Sequence, residues 1–223
     1  MKRITVLLAE DHLIVREGFR SLLKSDGDIE VVGEAETGRQ AVALAKKLRP
    51  AVVVMDIAMP LLNGLEATRQ IRQALPDTKV IMLSAHNDDA YVEQAISFGA
   101  VGYLIKQTSS HDLSKAIREV ESGNRFFSPS IAKRLHEQKS PVRGKQLRKR
   151  VARLTSRELE VLQLIAEGLA NKQVAGELDI SIKTVEKHRQ SMMQKLNIHD
   201  VAGLTRYAIG AGIIESSVQL TIV

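Results

Sequence analysis

The sequence predicts two domains of different class, a doubly wound parallel α/β domain followed by an all-α domain of four helices. Three observations predict this. Short apolar runs alternate with amphipathic stretches as far as Glu121. From Leu154 onward only helical patterns remain. The charge divides with the pattern: residues 1–122 carry 15 Lys/Arg against 17 Asp/Glu, and residues 123–223 carry 17 against 9.

The strand candidates are Ile4–Ala9, Ile29–Gly33, Ala51–Asp56, Lys79–Ser84 and Val101–Ile105. They are short and rich in β-branched residues, as buried parallel strands are. Between them lie stretches with helical spacing, whose inward faces are read as Ile14, Phe19, Leu22 and Leu23, then Ala41, Leu44, Ala45 and Leu48, then Leu65, Ile71 and Leu75. Strand and helix in strict alternation imply a parallel sheet with helices on both sides. Ser122-Gly123-Asn124 ends the last of these helices, and Phe126–Gln138 reads as a short helix behind Ser128-Pro129. Lys139–Arg153, polar, basic and holding Pro141 and Gly144, reads as a flexible linker. Four helices fit the remainder, over 156–167, 171–178, 182–195 and 200–210. Thr155 or Ser156 caps the first and Ser181 the third, with Glu158 near the positive end of the first helix dipole. The expected organisation is a domain over 1–121, a linker over 122–153 and a helical domain over 154–216.

Composition narrows the function classes. With no cysteine, disulfides and thiolate metal sites are excluded. Met1–Glu10 is too short an apolar run for a signal peptide or a membrane span, so a cytoplasmic protein with no membrane contact is expected. A basic second half suits a polyanionic partner, although the linker alone carries much of that charge.

The first half concentrates chemistry at strand ends. In open parallel sheets ligands bind beyond the carboxyl ends of the strands, where strand order reverses. The first strand here runs into Glu10-Asp11, the third ends in Asp56, the fourth in Ser84, and the fifth runs into Lys106. Clustered carboxylates repel one another, and a hard divalent cation such as Mg²⁺ relieves the repulsion. A carboxylate beside such a cation is able to accept a phosphoryl group as an acyl phosphate, with Lys106 and Ser84 at hand to stabilise it. Singly, each residue has an ordinary role as a cap, a turn residue, a core tyrosine or a surface charge.

LLAEDH at 7–12, MDIAMP at 55–60, LSA at 83–85 and GYLIK at 102–106, in that order, resemble the receiver domain of response regulators over roughly residues 3–121. The resemblance implies a flavodoxin-like (βα)5 fold and Asp56 as phosphoacceptor for a histidine kinase. It implies Mg²⁺ held by Glu10 or Asp11, Asp56 and the Ala58 carbonyl, with Ser84, Tyr103 and Lys106 as the phosphate-contacting and switch residues. Lys106-Gln107 stands where the family usually has Lys-Pro, and Ala58 and His86 flank the site. A haloacid-dehalogenase-like phosphatase needs a second Asp two residues after the nucleophile, where this chain has Ala58. A dinucleotide oxidoreductase needs a glycine-rich loop after the first strand, where this chain has Glu10-Asp11-His12. The chain is therefore expected to store a phosphoryl group, with at most slow self-dephosphorylation. A receiver acting as a phosphate-independent adaptor is the other class considered.

In the second half the core faces are Val161, Leu162, Leu164 and Ile165, then Val174, Ala175 and Leu178, then Val185, Met192 and Leu196. Two short helices joined by Asp179-Ile180-Ser181 have helix-turn-helix spacing. On the outward face of the third helix Glu186, Lys187 and Gln190 are candidates for base edges, with Gln194 further along. Asn171, Lys172, Lys183, Thr184 and Arg189 are placed for phosphates. LTSRELEVLQLIAEG, ANKQVAGEL and TVEKHRQSMMQKL resemble the LuxR-type helix-turn-helix of NarL/FixJ regulators. That resemblance implies a packing role for His188, a last helix that pairs two copies, and an inverted-repeat operator in double-stranded DNA. Phosphorylation is then expected to move Ser84 toward the phosphate, turn Tyr103 inward and favour a homodimer.

Overall fold

The computed structural model describes residues 3–84, 89–106, 110–128, 131–132 and 154–214. The chain divides into two compact units, Met1–Val142 and Arg143–Val223.

The first unit alternates β1 (Ile4–Ala9), α1 (Leu13–Lys24), β2 (Ile29–Ala35), α2 (Gly38–Leu48), β3 (Val52–Asp56), α3 (Gly64–Ala74), β4 (Lys79–Ser84), α4 (Asp89–Ser97), β5 (Gly102–Ile105) and α5 (Ser110–Glu121). A two-residue strand, β6 (Phe126–Phe127), follows, and all pairings are parallel, in the order β2-β1-β3-β4-β5-β6. Alternate strand residues feed two cores. Leu7, Val53, Met55, Val80, Met82 and Tyr103 join Ala41 and Ala45 of α2, Leu65 and Ile71 of α3, and Val92 and Ala95 of α4. Their neighbours Val6, Leu8, Val52, Val54, Ile81, Leu83 and Leu104 join Leu23 of α1 and Leu113, Ile117 and Val120 of α5. A sheet covered on both sides needs apolar residues at successive strand positions, which is why the central strand β3 is an unbroken apolar run from Val52 to Met55, while the edge strand β2 admits Glu30 and Glu34.

Two expectations need correction here. Ile14, assigned to the inward face of α1, is 86% exposed, and Leu22 is also exposed. The buried positions of α1 are Arg16 and Leu23, with Val15 and Phe19 half-buried. Phe126-Phe127, assigned to a helix, forms a sixth strand, β6, paired with Gly102-Tyr103 of β5. A helical turn starts only after Ser128, whose carbonyl accepts from the N–H groups of Ile131 and Ala132. The rest of that predicted helix, the Lys139–Arg153 linker, His86 and Gln107 lie outside the described residues.

The second unit holds α6 (Ser156–Ala166), α7 (Asn171–Leu178), α8 (Ile182–Leu196) and α9 (Val201–Gly210). Thr155 and Glu158 form a reciprocal capping box at the start of α6. Ser181 Oγ and Asp200 Oδ1 accept the capping bonds of α8 and α9. Asp179, with φ of 50°, makes the left-handed turn between α7 and α8. The predicted core residues of α6, α7 and α8 are all buried, and α8 packs on α6 and α7 while α9 packs on α6.

Candidate phosphoacceptor site and nucleic-acid interface

Strand register assembles the acidic site. The chain leaves β1 for β2 on one side and returns as β3 on the other, so the order reverses between β1 and β3. Ala9 stands opposite Met55, which brings the next residues, Glu10 and Asp56, to neighbouring strand ends. Ser84 pairs with Ile105, and the Lys106 N–H donates to the Ser84 carbonyl at 2.7 Å. The loop after β3 is held by the Gly64 N–H donating to the Ile57 carbonyl. A Cβ on Gly64 would lie 1.8 Å from the Asp56 carbonyl oxygen, so only glycine permits this approach.

Glu10 and Asp56 are each 2% exposed. Lys106 Nζ lies 3.0 Å from Asp56 Oδ2 and 2.9 Å from Glu10 Oε2. Asp56 Oδ1 accepts the Ile57 N–H at 2.8 Å. Burial, aided by the Glu10 charge, pushes the Asp56 pKa up to about 6, against the pull of Lys106. Lys106 is raised as well, because Asp56 and Glu10 outweigh the burial that would lower it. His12, not singled out from sequence as a site residue, stands 2.9 Å from Asp11 Oδ1, and Asp11 chiefly raises its pKa. Oxygen or nitrogen atoms of Glu10, Asp11, His12 and Asp56 all lie within 4.8 Å of one another. Three carboxylates stand against one lysine, and the Glu10 charge adds to burial in raising Asp56. This donor set, rich in hard oxygen, fits a divalent cation such as Mg²⁺.

Ala58 is half-buried two residues past Asp56. Ser84 is buried at the end of β4. Tyr103 is fully buried in the core shared with α3 and α4. The inward position expected only on phosphorylation is thus the one Tyr103 occupies.

In the second unit Lys183, Glu186, Lys187, Gln190 and Gln194 are exposed along α8, and Lys172 is exposed at the start of α7. Thr184 is half-buried, with its hydroxyl 2.8 Å from that of Ser181. Arg189 Nη1 donates to Asn171 Oδ1 at 2.5 Å, tying α8 to the start of α7. Asn171, Glu186, Arg189, Gln190 and Gln194 line one open groove with Met193 and His199. Met193 and His199 were missed from sequence, since apolar and loop positions carry no charge pattern. Also missed was the role of Glu158, which accepts from Ser191 Oγ at 2.6 Å and from Lys195 Nζ at 2.7 Å. Burial opposes its ionisation, but Lys195, Ser191 and Thr155 together hold its pKa down to about 2.

A strand-end carboxylate cluster facing a half-buried lysine, in a chain that also folds a helix-turn-helix, defines a receiver joined to a DNA-binding module. Residues 6–118 match the family described as response regulator receiver domain, and residues 152–208 match bacterial regulatory proteins of the luxR family. The chain is 37% identical over 211 residues to the transcriptional regulatory protein DegU of Brevibacillus brevis, covering 89% of each. It is 37% identical over 212 residues to the response regulator protein VraR of Staphylococcus aureus, covering 95% of this chain and 99% of that one. Among solved structures it resembles the RcsB response regulator of Salmonella typhimurium, with a TM-score of 0.57, 30% identity and coverage of 93% and 98%. It also resembles a two-component response regulator RcsB–DNA complex, with a TM-score of 0.56, 29% identity and coverage of 92% and 98%. The chain belongs to the NarL/FixJ family of response regulators. No helix among the described residues is long and apolar enough to cross a membrane.

Proposed function

We propose that this response regulator accepts a phosphoryl group on Asp56 from a sensor histidine kinase and thereby becomes a dimeric, DNA-bound transcription regulator. The observation that carries the reading is the Lys106 ammonium within 3.0 Å of Asp56 and 2.9 Å of Glu10 at the strand-order reversal. Glu10, Asp11, Asp56 and the Ala58 carbonyl hold Mg²⁺, which when bound neutralises carboxylate charge and charge on the incoming group. Lys106 contacts the phosphoryl oxygens and Ser84 moves to meet them. Because Tyr103 is already inward, the switch is a shift in population toward a conformer the chain already adopts, rather than a new rotamer.

Lys187, Gln190 and Glu186 read base edges in the major groove, while Asn171, Lys172, Lys183, Thr184 and Arg189 grip phosphates. Exposed Val201 and Ile209 on α9 suit the pairing of two copies on an inverted-repeat operator. The working division is a receiver over 1–121, a linker over 122–153 and the DNA-binding domain over 154–216. The protein acts in the cytoplasm, and its phosphoryl group is a stored signal rather than a turnover intermediate.

The test is binding to a pool of genomic DNA fragments, with and without a small phosphodonor and Mg²⁺. Wild type is expected to bind more tightly after treatment, and Asp56→Asn to show no response. Equal binding under every condition would leave the DNA-binding assignment standing and remove the phosphoryl switch.

A further inference from the structure

Arg16 is 5% exposed, although arginine is rarely buried without a purpose. It lies one turn into α1, its N–H bonded to the His12 carbonyl. Its Nη1 donates to the Glu10 carbonyl at 2.6 Å and reaches the Asp11 carbonyl at 3.5 Å. Its Nη2 donates to Glu36 Oε1 at 2.7 Å, and its Nε stands 3.3 Å from Glu34 Oε2. The last sheet bond of this segment is the Glu10 N–H to the Ala35 carbonyl. Past it, the carbonyls of the two acidic residues have left the ladder and need another donor. Arg16 supplies that donor, while Glu34 and Glu36 balance its charge.

We propose that Arg16 is a positioning residue that locks the Glu10-Asp11 backbone and so sets the divalent-cation affinity of the acidic site. The inference rests on the reading of Glu10, Asp11 and Asp56 as cation ligands. A planar fork is required, because one guanidinium serves two carbonyls and two carboxylates in fixed directions, which an ammonium does not reproduce. The sign of the effect separates positioning from simple charge. Removing a cation near carboxylates, acting only through the field, would tighten binding of another cation. Loss of positioning weakens it, by roughly 10-fold or more on the precedent of residues that orient metal ligands.

The experiment is Mn²⁺ binding, read by electron paramagnetic resonance, on the full-length wild type, Arg16→Gln, Arg16→Lys and Asp11→Asn, with folding checked by circular dichroism. Weaker binding by folded Arg16→Gln and Arg16→Lys is expected. Arg16→Lys keeps the charge and is the variant to rely on where Arg16→Gln does not fold. Unchanged or tighter binding by Arg16→Lys overturns the inference. A wild type that binds no Mn²⁺, or an Asp11→Asn variant that binds it normally, overturns the underlying site reading and the inference with it.

Discussion

Asp56, the proposed phosphoacceptor, carries a stability cost that is measurable without any phosphodonor. Its folded pKa is about 6 against an ordinary 3.8. A carboxyl group raised in the folded state contributes stability that is full below about 3.8 and lost as pH rises through about 6. At pH 7.5 the native state therefore holds an ionised carboxylate that burial and Glu10 disfavour. Asp56→Asn is expected to be more stable than wild type at that pH without divalent cations, by about 1–3 kcal/mol. The advantage should vanish near pH 4. Paired thermal melts check this, and an Asn variant no more stable at pH 7.5 would mean that Lys106 fully compensates the charge. The convergence of Glu10, Asp11, Asp56, Ser84 and Lys106 was legible in the sequence because each stands at or just past a strand's carboxyl end. Arg16 was not, because its role depends on two carbonyls and two carboxylates converging from β1 and β2, which no local pattern announces.

Strands and helices were legible to different degrees for physical reasons. β1, β3 and β4 sit inside the sheet, so their runs carry an unbroken apolar signal. β6 is two residues at the sheet edge, too short to show any period. On α1 the apolar Ile14 and Leu22 imitate a core stripe, whereas the buried stripe includes a charged residue. The helical unit was legible to within a residue at each helix end, because Thr155 and Ser181 are side-chain caps with local partners; Asp200, read as the first residue of the last helix, is its cap. What spacing did not reveal is how α6 and α8 are joined. Glu158 caps α6 and also accepts bonds from Ser191 and Lys195 of α8. Its folded pKa near 2, against an ordinary 4.5, means that its contribution is complete above about 4.5 and lost as pH falls toward 2. Glu158→Gln should destabilise the helical unit by roughly 2–4 kcal/mol at neutral pH, with the deficit shrinking in acid. Urea melts at pH 7 and pH 3 measure both quantities. A deficit that does not change with pH would assign the loss to packing rather than to the ion pair with Lys195.

At the scale of the whole chain the two units differ in charge and in the ligand each is built for. Residues 1–122, slightly acidic, hold a carboxylate cluster suited to a cation, and the basic residues 123–223 expose Lys172 on α7 and Lys183 and Lys187 on α8. A ligand that binds only the folded form of one unit raises that unit's unfolding temperature, by about 2.7 kcal/mol of stabilisation at a hundred times its dissociation constant. Each unit has its own buried core, so differential scanning calorimetry is expected to resolve two transitions. Mg²⁺ should move one of them and duplex operator DNA the other. Salt should separate the two ligands further. Raising it from about 50 to 200 mM displaces DNA steeply, because each phosphate contact releases a counterion. A cation held by buried carboxylates is screened far less. The Mg²⁺-dependent shift should therefore survive the higher salt while the DNA-dependent shift collapses. If Mg²⁺ alone moved both transitions together, the units would be coupled before phosphorylation. The phosphoryl group would then be tuning an existing linkage between them instead of creating one.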